Sequence, residues 1–195
     1  MDIRKAGAVS AVVLTAALVA IPAAGSASWS HASGCTGTPQ TGLVGTVTGT
    51  SGPDWFVTRN TDTAGVTFLG LGGADCLYGA KGPDVLTGGN GRDLLGGGRG
   101  ADRLTGGNGP DNLIGDRGND IVNGGPGNDV IGGDPGRDRV NGGPGNDDIQ
   151  EGDRERDTIT CGSGNDRIIY DQGLDVLTDA AACEVLLPLP NPPAV

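Results

Sequence analysis

A single apolar position recurs with a period of nine through the middle of the chain, between runs of glycine and polar residues. The stretches GGNGRDLLG (88–96), GGRGADRLT (97–105) and GGNGPDNLI (106–114) show the pattern, and GDRGNDIVN and GGPGNDVIG continue it to residue 132. The eighth place of each row forms an apolar column: Leu77, Leu86, Leu95, Leu104, Leu113, Val122, Ile131, Val140 and Ile149. A period this strict predicts a repeat architecture rather than an ordinary globular core.

Each row divides into a turn, GGxGxD, and a short strand that occupies the last three places. The turn has glycine where the backbone needs a positive φ or a close approach, and prolines such as Pro83 and Pro110 exclude a helix. One short strand cannot bury its apolar residue alone, so two consecutive rows, such as 88–105, form one coil of two turns and two strands. Stacked coils then bury the apolar column between two sheets. The pattern predicts an all-β fold, a parallel β-roll built as a right-handed solenoid.

An aspartate stands two places before each member of the apolar column. One predicted edge of the roll carries Asp75, Asp93, Asp111, Asp129 and Asp147, and the other carries Asp84, Asp102, Asp120 and Asp138. Carboxylates in neighbouring coils would lie about 5 Å apart and repel each other unless a cation lies between them. Carboxylate and glycine carbonyl oxygens suit Ca²⁺ better than Mg²⁺, which needs a tighter octahedron. The alternative is that each aspartate only caps its own turn.

The repeat becomes irregular at both ends. Asp157 comes one position late, and Glu155 stands where its row should have the fourth glycine, so Asp157 is left out of the predicted ligands. The pattern returns with Asp166, which is included. Asp54 and Asp175 belong to degenerate outer rows, and we expect them to be caps without metal.

The rows resemble the RTX, or hemolysin-type calcium-binding, nonapeptide GGxGxDxUx, in which U is large and apolar. The match is complete in five rows, and four others depart only at the second place, which has Leu71, Ala80, Asp116 and Asp134. We expect these changes to matter little, because that place provides its carbonyl. The resemblance implies that calcium lies between turns of successive coils on one edge, held by aspartates and backbone carbonyls. Pairing aspartates one coil apart gives four sites on the first edge and three on the second, about seven in all, and Asp147 with Asp166 would add one.

The N-terminal segment 1–27 has the features of a secretory signal peptide. Arg4 and Lys5 precede the apolar run AGAVSAVVLTAALVAIPAA, and small residues lead to a cleavage point after Ala27. The alternative is an uncleaved membrane anchor. We divide the chain into the signal peptide (1–27), an N-terminal lead-in (28–48), the array (49–178) and a C-terminal cap with a disordered Pro-rich tail (179–195). This division predicts a secreted, extracellular protein without a membrane span after cleavage.

Charge and cysteine content agree with export. The formal net charge of -11 disfavours nucleic acid and anionic membranes as partners and attracts cations. Four cysteines allow three pairings. We favour Cys35 with Cys76 and Cys161 with Cys183, because each pair would clamp one end of the array, while free thiols remain the alternative. Their spacing matches no zinc site.

The sequence contains no nucleophile with a plausible base, and His31 is its single histidine, so an enzyme is not expected. Two functions remain open. One is a secreted calcium-binding module that folds on calcium and has a stand-alone structural or cell-envelope role. The other is a calcium-dependent adhesion protein that binds a protein or glycan partner. The outward positions before the apolar column do not favour either one: Val85, Arg103, Ile121 and Arg139 on one face, and Leu94, Asn112, Val130 and Asp148 on the other.

Overall fold

The computed structural model describes residues 39–58, 63–180, 182–183 and 185–189. The described residues contain strands and turns only. The strands are β1 (Gln40–Thr41), β2 (Gly45–Thr48), β3 (Trp55–Val57), β4 (Val66–Gly73), β5 (Cys76–Lys81), β6 (Val85–Gly91), β7 (Leu94–Arg99), β8 (Arg103–Asn108), β9 (Asn112–Arg117), β10 (Ile121–Asn123), β11 (Val130–Gly132), β12 (Arg139–Pro144), β13 (Asp148–Glu151), β14 (Thr158–Ser163), β15 (Arg167–Asp171), β16 (Val176–Leu177) and β17 (Val185–Leu189).

The strands alternate between two parallel sheets. Odd-numbered strands form a sheet of nine and even-numbered strands form a sheet of eight, each in sequence order. In the first sheet Leu95 lies opposite Leu77 and Leu113, so each strand pairs with the strand one coil before it and the strand one coil after it. This arrangement confirms the predicted all-β parallel β-roll.

The apolar column forms the core of the roll. All nine of its members are 2% exposed or less, and Ile159 and Ile168 extend it with 0% exposure. At the N-terminal end the column continues with Phe56 and Phe68, whose ring centroids are 5.5 Å apart. The core is only one side chain wide on each sheet, so it buries little apolar area. The roll therefore depends on other stabilising contacts as well.

Two coils differ in length from the others. Trp55 of β3 lies opposite Cys76 of β5, an offset of 21 residues, whereas Cys76 lies opposite Leu94, an offset of 18. The coil that contains the row of Asp54 is therefore longer than a regular coil. The sequence assigns Asp54 to a degenerate outer row, and the structure shows that this row starts a full coil, because β4 provides its second strand. Later, Arg139 of β12 lies opposite Thr158 of β14, which makes that coil one position longer than regular ones. The insertion lies between β13 and β14.

The second place of the turn needs a left-handed backbone. Gly98 has a φ of 101°, and a Cβ added there would lie 2.5 Å from the carbonyl oxygen of Ala80. The four residues that replace glycine at this place keep the conformation, with φ values of 77°, 76°, 69° and 63° at Leu71, Ala80, Asp116 and Asp134. Each costs about 1 kcal/mol relative to glycine, so these rows preserve the turn at a small loss of stability.

The C-terminal end is closed by a disulfide and an aspartate cap. Cys161 and Cys183 are bonded, as predicted, with their Cα atoms 5.6 Å apart. Asp179 accepts the backbone N–H groups of Cys161 and Gly162, each at 2.9 Å. Cys76 is also disulfide-bonded, and Cys35, its predicted partner, lies outside the described residues. The cross-link joins β14 to the segment that leads into β17.

Segments at both ends bear on the predicted division of the chain. The predicted signal peptide and His31 lie outside the described residues. Strands β1 and β2 lie within the predicted lead-in, and they pair with β3 and β4 respectively. Strand β17 includes Pro188 and Leu189, which the sequence assigns to the Pro-rich tail. Within the described part of the chain, no helix is long and apolar enough to span a membrane.

Candidate metal sites

The aspartates form one buried column along each edge of the roll. The nine predicted aspartates from Asp75 to Asp147 each lie directly before a strand, and none is more than 3% exposed. One carboxylate oxygen, Oδ1, accepts the backbone N–H of the residue one coil earlier, which is usually the matching aspartate. Asp93 donates to Asp111 at 2.8 Å, for example, and Asp102 donates to Asp120 at 2.7 Å. The bond fixes the side chain inside the turn and leaves the second oxygen for another partner.

That second oxygen, Oδ2, has no hydrogen-bond partner in most rows. Within the described residues, this holds for ten buried aspartates, Asp75, Asp84, Asp93, Asp102, Asp111, Asp120, Asp129, Asp138, Asp147 and Asp157. A buried oxygen without a donor costs about 1–3 kcal/mol, and more when it is charged. One orphaned oxygen in each of these rows is a repeated structural feature that a bound cation would satisfy.

Each orphaned oxygen of a regular row faces a small cradle at the first glycine of that row. A Cβ added to Gly115 would lie 2.5 Å from Asp120 Oδ2 and 2.7 Å from the carbonyl oxygen of Gly133, one coil further on. The equivalent two oxygens lie beside Gly97, where an added Cβ would be 2.5 Å from Asp102 Oδ2 and 2.7 Å from the carbonyl oxygen of Gly115. The absence of a side chain thus lets a carboxylate oxygen and a carbonyl oxygen from adjacent coils converge on one point.

Burial raises the pKa of these carboxyl groups. Desolvation is the largest cause, and it raises the pKa of Asp120 to about 8, of Asp111 and Asp138 to about 7, and of Asp75 and Asp147 to about 6. The backbone N–H bonds lower the pKa, while neighbouring aspartates of the same column raise it further. The ion pair found within the described segments, Arg167 with Asp148 at 2.8 Å, has partly exposed side chains and lies outside the columns.

The outermost rows differ from the inner ones in the hydrogen bonds of their aspartates. Asp54 Oδ2 accepts the backbone N–H and the hydroxyl of Thr50, at 2.6 and 3.1 Å. Asp175 accepts the N–H of Asp157 through Oδ1 and that of Asp171 through Oδ2, at 3.0 and 2.6 Å. In both rows, Oδ2 therefore already accepts a backbone N–H. Asp166 is 1% exposed and accepts the N–H of Asp147 at 2.9 Å, as an inner row does.

Sequence reasoning left out two carboxylates that share these features. Asp157 is 0% exposed and accepts the N–H of Asp138 at 2.8 Å, in spite of the irregular row that precedes it. Glu151, 1% exposed, is buried inside the same edge. In the sequence, Glu151 lies 18 residues after Gly133, one regular coil later, at a position where a regular row has glycine. The register slip obscured that relation.

Buried carboxylate oxygens without donors, each beside a backbone carbonyl oxygen of the next coil, indicate a calcium-binding β-solenoid, because hard cations prefer such ligands. Comparison with known families matches the RTX calcium-binding nonapeptide repeat (4 copies) at residues 69–104, 96–131, 105–139, 124–150 and 151–177. The matches together span residues 69–177, more than half of the 195 residues. The chain therefore belongs to the RTX calcium-binding nonapeptide-repeat family. No curated protein and no solved structure matches it.

The buried aspartates fit the ion that the family binds. Calcium, when bound, supplies positive charge to carboxylate oxygens that have no hydrogen-bond donor. The chain's own part is to hold Oδ1 on a backbone N–H, to aim Oδ2 into the cradle, and to keep that cradle free of side-chain atoms with glycine. The protein is thus a calcium-binding β-roll module.

Proposed function

We propose that this chain is a secreted module whose roll folds when calcium binds, with a structural or cell-envelope role rather than a catalytic one. The observation that carries the proposal is the repeated orphaned Oδ2 beside a glycine cradle. The bound state compensates the buried charges, whereas the metal-free state contains two columns of unpaired carboxylates.

The proposed ligands are the aspartates predicted from the sequence together with their glycine carbonyls. They are Asp75, Asp84, Asp93, Asp102, Asp111, Asp120, Asp129, Asp138, Asp147 and Asp166. Pairing aspartates one coil apart in the strict rows gives about seven calcium ions, as the resemblance implies. The Asp147 and Asp166 pair adds one more, since their hydrogen bond of 2.9 Å matches that of regular coils.

Secretion is supported by two features. The disulfide between Cys161 and Cys183 persists best in an oxidising compartment. The N-terminal run after Arg4 and Lys5 has the character of a signal peptide. Outside the cell, calcium is abundant enough to occupy weak sites, so the same export step would deliver the chain to the ion that folds it.

Replacing one buried carboxylate by its amide tests the sites. In Asp120→Asn, the amide oxygen can still accept the N–H of Asp102, while the amide nitrogen replaces the orphaned Oδ2. We expect at least one calcium ion fewer per chain at saturation, because an amide NH₂ cannot ligate the ion. Equilibrium dialysis of the full-length protein against radioactive calcium measures the stoichiometry.

The matched control is Asp54→Asn, the same substitution in a row whose Oδ2 is already bonded to Thr50. We expect its calcium stoichiometry to equal that of the unmodified protein. Equal stoichiometry in all three proteins, or an equal loss in both variants, would contradict the assignment of the inner aspartates as ligands.

A calcium-dependent interaction protein is the second candidate, and the outer face of the eight-stranded sheet supports it. A polar column follows the apolar core along this face: Thr87, Thr105, Asn123, Asn141, Thr160 and Thr178. Asn141 Nδ2 donates to Asn123 Oδ1 at 2.9 Å, and the hydroxyls of Thr160 and Thr178 are 2.6 Å apart. Such a regular row of hydroxyl and amide groups suits a glycan with regularly spaced hydroxyls.

A glycan array probed in calcium and in chelator tests this second candidate. We expect calcium-dependent binding that falls at least about tenfold in Thr105→Ala/Asn123→Ala, because two adjacent polar groups are lost. Asn112→Ala, an exposed change on the other sheet, is the control. Absence of any glycan bound in calcium would exclude the glycan form of this function.

A further inference from the structure

One coil of the second edge contains an extra residue, and the insertion lies between Asp138 and Asp157. Arg139 pairs with Thr158 and Asp148 pairs with Arg167, each with an offset of 19, and the following pair, Thr158 with Val176, returns to 18. The insertion interrupts the turn that would provide the next glycine carbonyl on this edge. The chain places a side chain there instead.

Glu151 occupies the position of that carbonyl. A Cβ added to Gly133 would lie 2.7 Å from Glu151 Oε2, and in the preceding coil a Cβ added to Gly115 would lie 2.7 Å from the carbonyl oxygen of Gly133. The other oxygen, Oε1, accepts the backbone N–H of Gly133 at 2.6 Å. This bond holds the carboxylate in place and aims Oε2 at the cradle that Asp138 Oδ2 also faces. A charged ligand therefore substitutes for a neutral one.

The substitution brings three carboxylates together. One oxygen from each of Asp138, Glu151 and Asp157 lies within 4.8 Å of the other two, and the three residues are 1%, 1% and 0% exposed. Asp138 Oδ2, Glu151 Oε2 and Asp157 Oδ2 have no hydrogen-bond partner among the described residues. Three buried, uncompensated carboxylates are far more costly than two, and a hard cation is the partner that their oxygens suit.

We propose that Asp138, Glu151 and Asp157 form a three-carboxylate cation site that binds calcium more tightly than the regular sites of the roll. The proposal rests on the proposed calcium-folding function, because it uses the same edge. Regular sites combine two carboxylates with glycine carbonyls, and calcium affinity rises with the number of charged ligands. This site therefore fills first and empties last as free calcium changes, and it anchors the coil at which the register slips.

The test compares Glu151→Gln with Glu155→Gln in the full-length protein by equilibrium dialysis against radioactive calcium. Glu155 is exposed and lies in the same turn, so its substitution removes the same charge without a buried ligand. For the unmodified protein and Glu155→Gln, we expect about one ion per chain to bind at roughly tenfold lower free calcium than the remaining ions. In Glu151→Gln, this tight ion is lost or joins the weaker class.

A second measurement separates a ligand from a merely structural residue. In Glu151→Gln, the amide oxygen can keep the N–H of Gly133 and the amide nitrogen can donate to the carboxylates of Asp138 and Asp157. We expect the metal-free variant to have at least as much β signal by circular dichroism as the metal-free unmodified protein. A structural role alone would lower that signal.

Three results would overturn the site. They are a single affinity class in the unmodified protein, an unchanged tight ion in Glu151→Gln, and an equal loss of it in Glu155→Gln. Each is compatible with a roll that still folds on calcium, so each leaves the proposed function standing. Failure of the unmodified protein to bind any calcium would contradict both proposals.

Discussion

Removal of calcium from the full-length protein at pH 7.5 is expected to abolish most of its β-sheet signal in far-UV circular dichroism. Return of calcium to millimolar levels is expected to restore the signal cooperatively, since each coil is stable only against its neighbours. Without the ion, carboxylates at both edges, such as Asp84 and Asp93, are buried without compensation. The single apolar column cannot offset that cost together with the chain entropy of a glycine-rich sequence.

The expected size of this effect follows from linkage. A site with a dissociation constant of about 0.1 mM, at about 1 mM free calcium, stabilises the folded state by about 1.4 kcal/mol. About seven such sites contribute about 10 kcal/mol, which is comparable to the whole stability of a typical domain. Magnesium at the same concentration is the control, and we expect it to restore little signal, because it demands a tighter octahedron. A complete β signal in excess chelator would contradict calcium-driven folding.

Acid is expected to stabilise the metal-free roll. The aspartate pKa values are raised in the folded state to about 8 for Asp120, about 7 for Asp84 and Asp111, and about 6 for Asp102 and Asp129, against 3.8 as the ordinary value. At a pH between 3.8 and the raised pKa of each aspartate, the folded state binds more protons than the unfolded state, so folding becomes less favourable as the pH rises. The contribution is fully present below about pH 3.8 and is lost as the pH rises through 6 to 8.

The measurement is circular dichroism in metal-free buffer, prepared with a chelating resin, from pH 8 to pH 5. We expect the β signal to return as the pH falls, with folding favoured by at least about 5 kcal/mol more at the lower pH. In saturating calcium the trend reverses, because protons compete with the ion for the same carboxylates. Asp120→Asn, which removes the group with the pKa of about 8, should weaken the dependence between pH 7 and 8. Metal-free stability that rises with pH would exclude this explanation.

Several features of the roll could be predicted from residue spacing. The period of nine located the core residues, such as Leu95 and Ile131, and the aspartates that precede the strands. The aspartate column and the glycine carbonyls of the predicted turns indicated calcium. The pairing of Cys161 with Cys183 followed from the idea that a cross-link closes the end of a solenoid. These features are local or periodic, so the sequence contains them directly.

Other features depend on contacts between coils. The row of Asp54 opens a coil longer than the regular ones. The second strand of this coil contributes the core residue Phe68, whose row has Val66 where the motif has aspartate. The polar column that includes Thr105 and Asn123 lies one place after the core residues, on the outer face of the eight-stranded sheet. Both features follow the spacing of the repeat, but neither includes the glycines and aspartate of the full motif, so only the strand pairing shows their place in the roll.

The sequence by itself determined the parallel roll, its core column and the family of calcium-binding repeats. A strict period of nine leaves few arrangements that bury the eighth place of every row and align the sixth. Only the tertiary structure decided which aspartates have a free oxygen and which are satisfied as caps, because that depends on donors such as Thr50 in the same turn as Asp54. Only the structure placed Glu151 beside Asp138 and Asp157, since the shift of one position is resolved by strand pairing between coils.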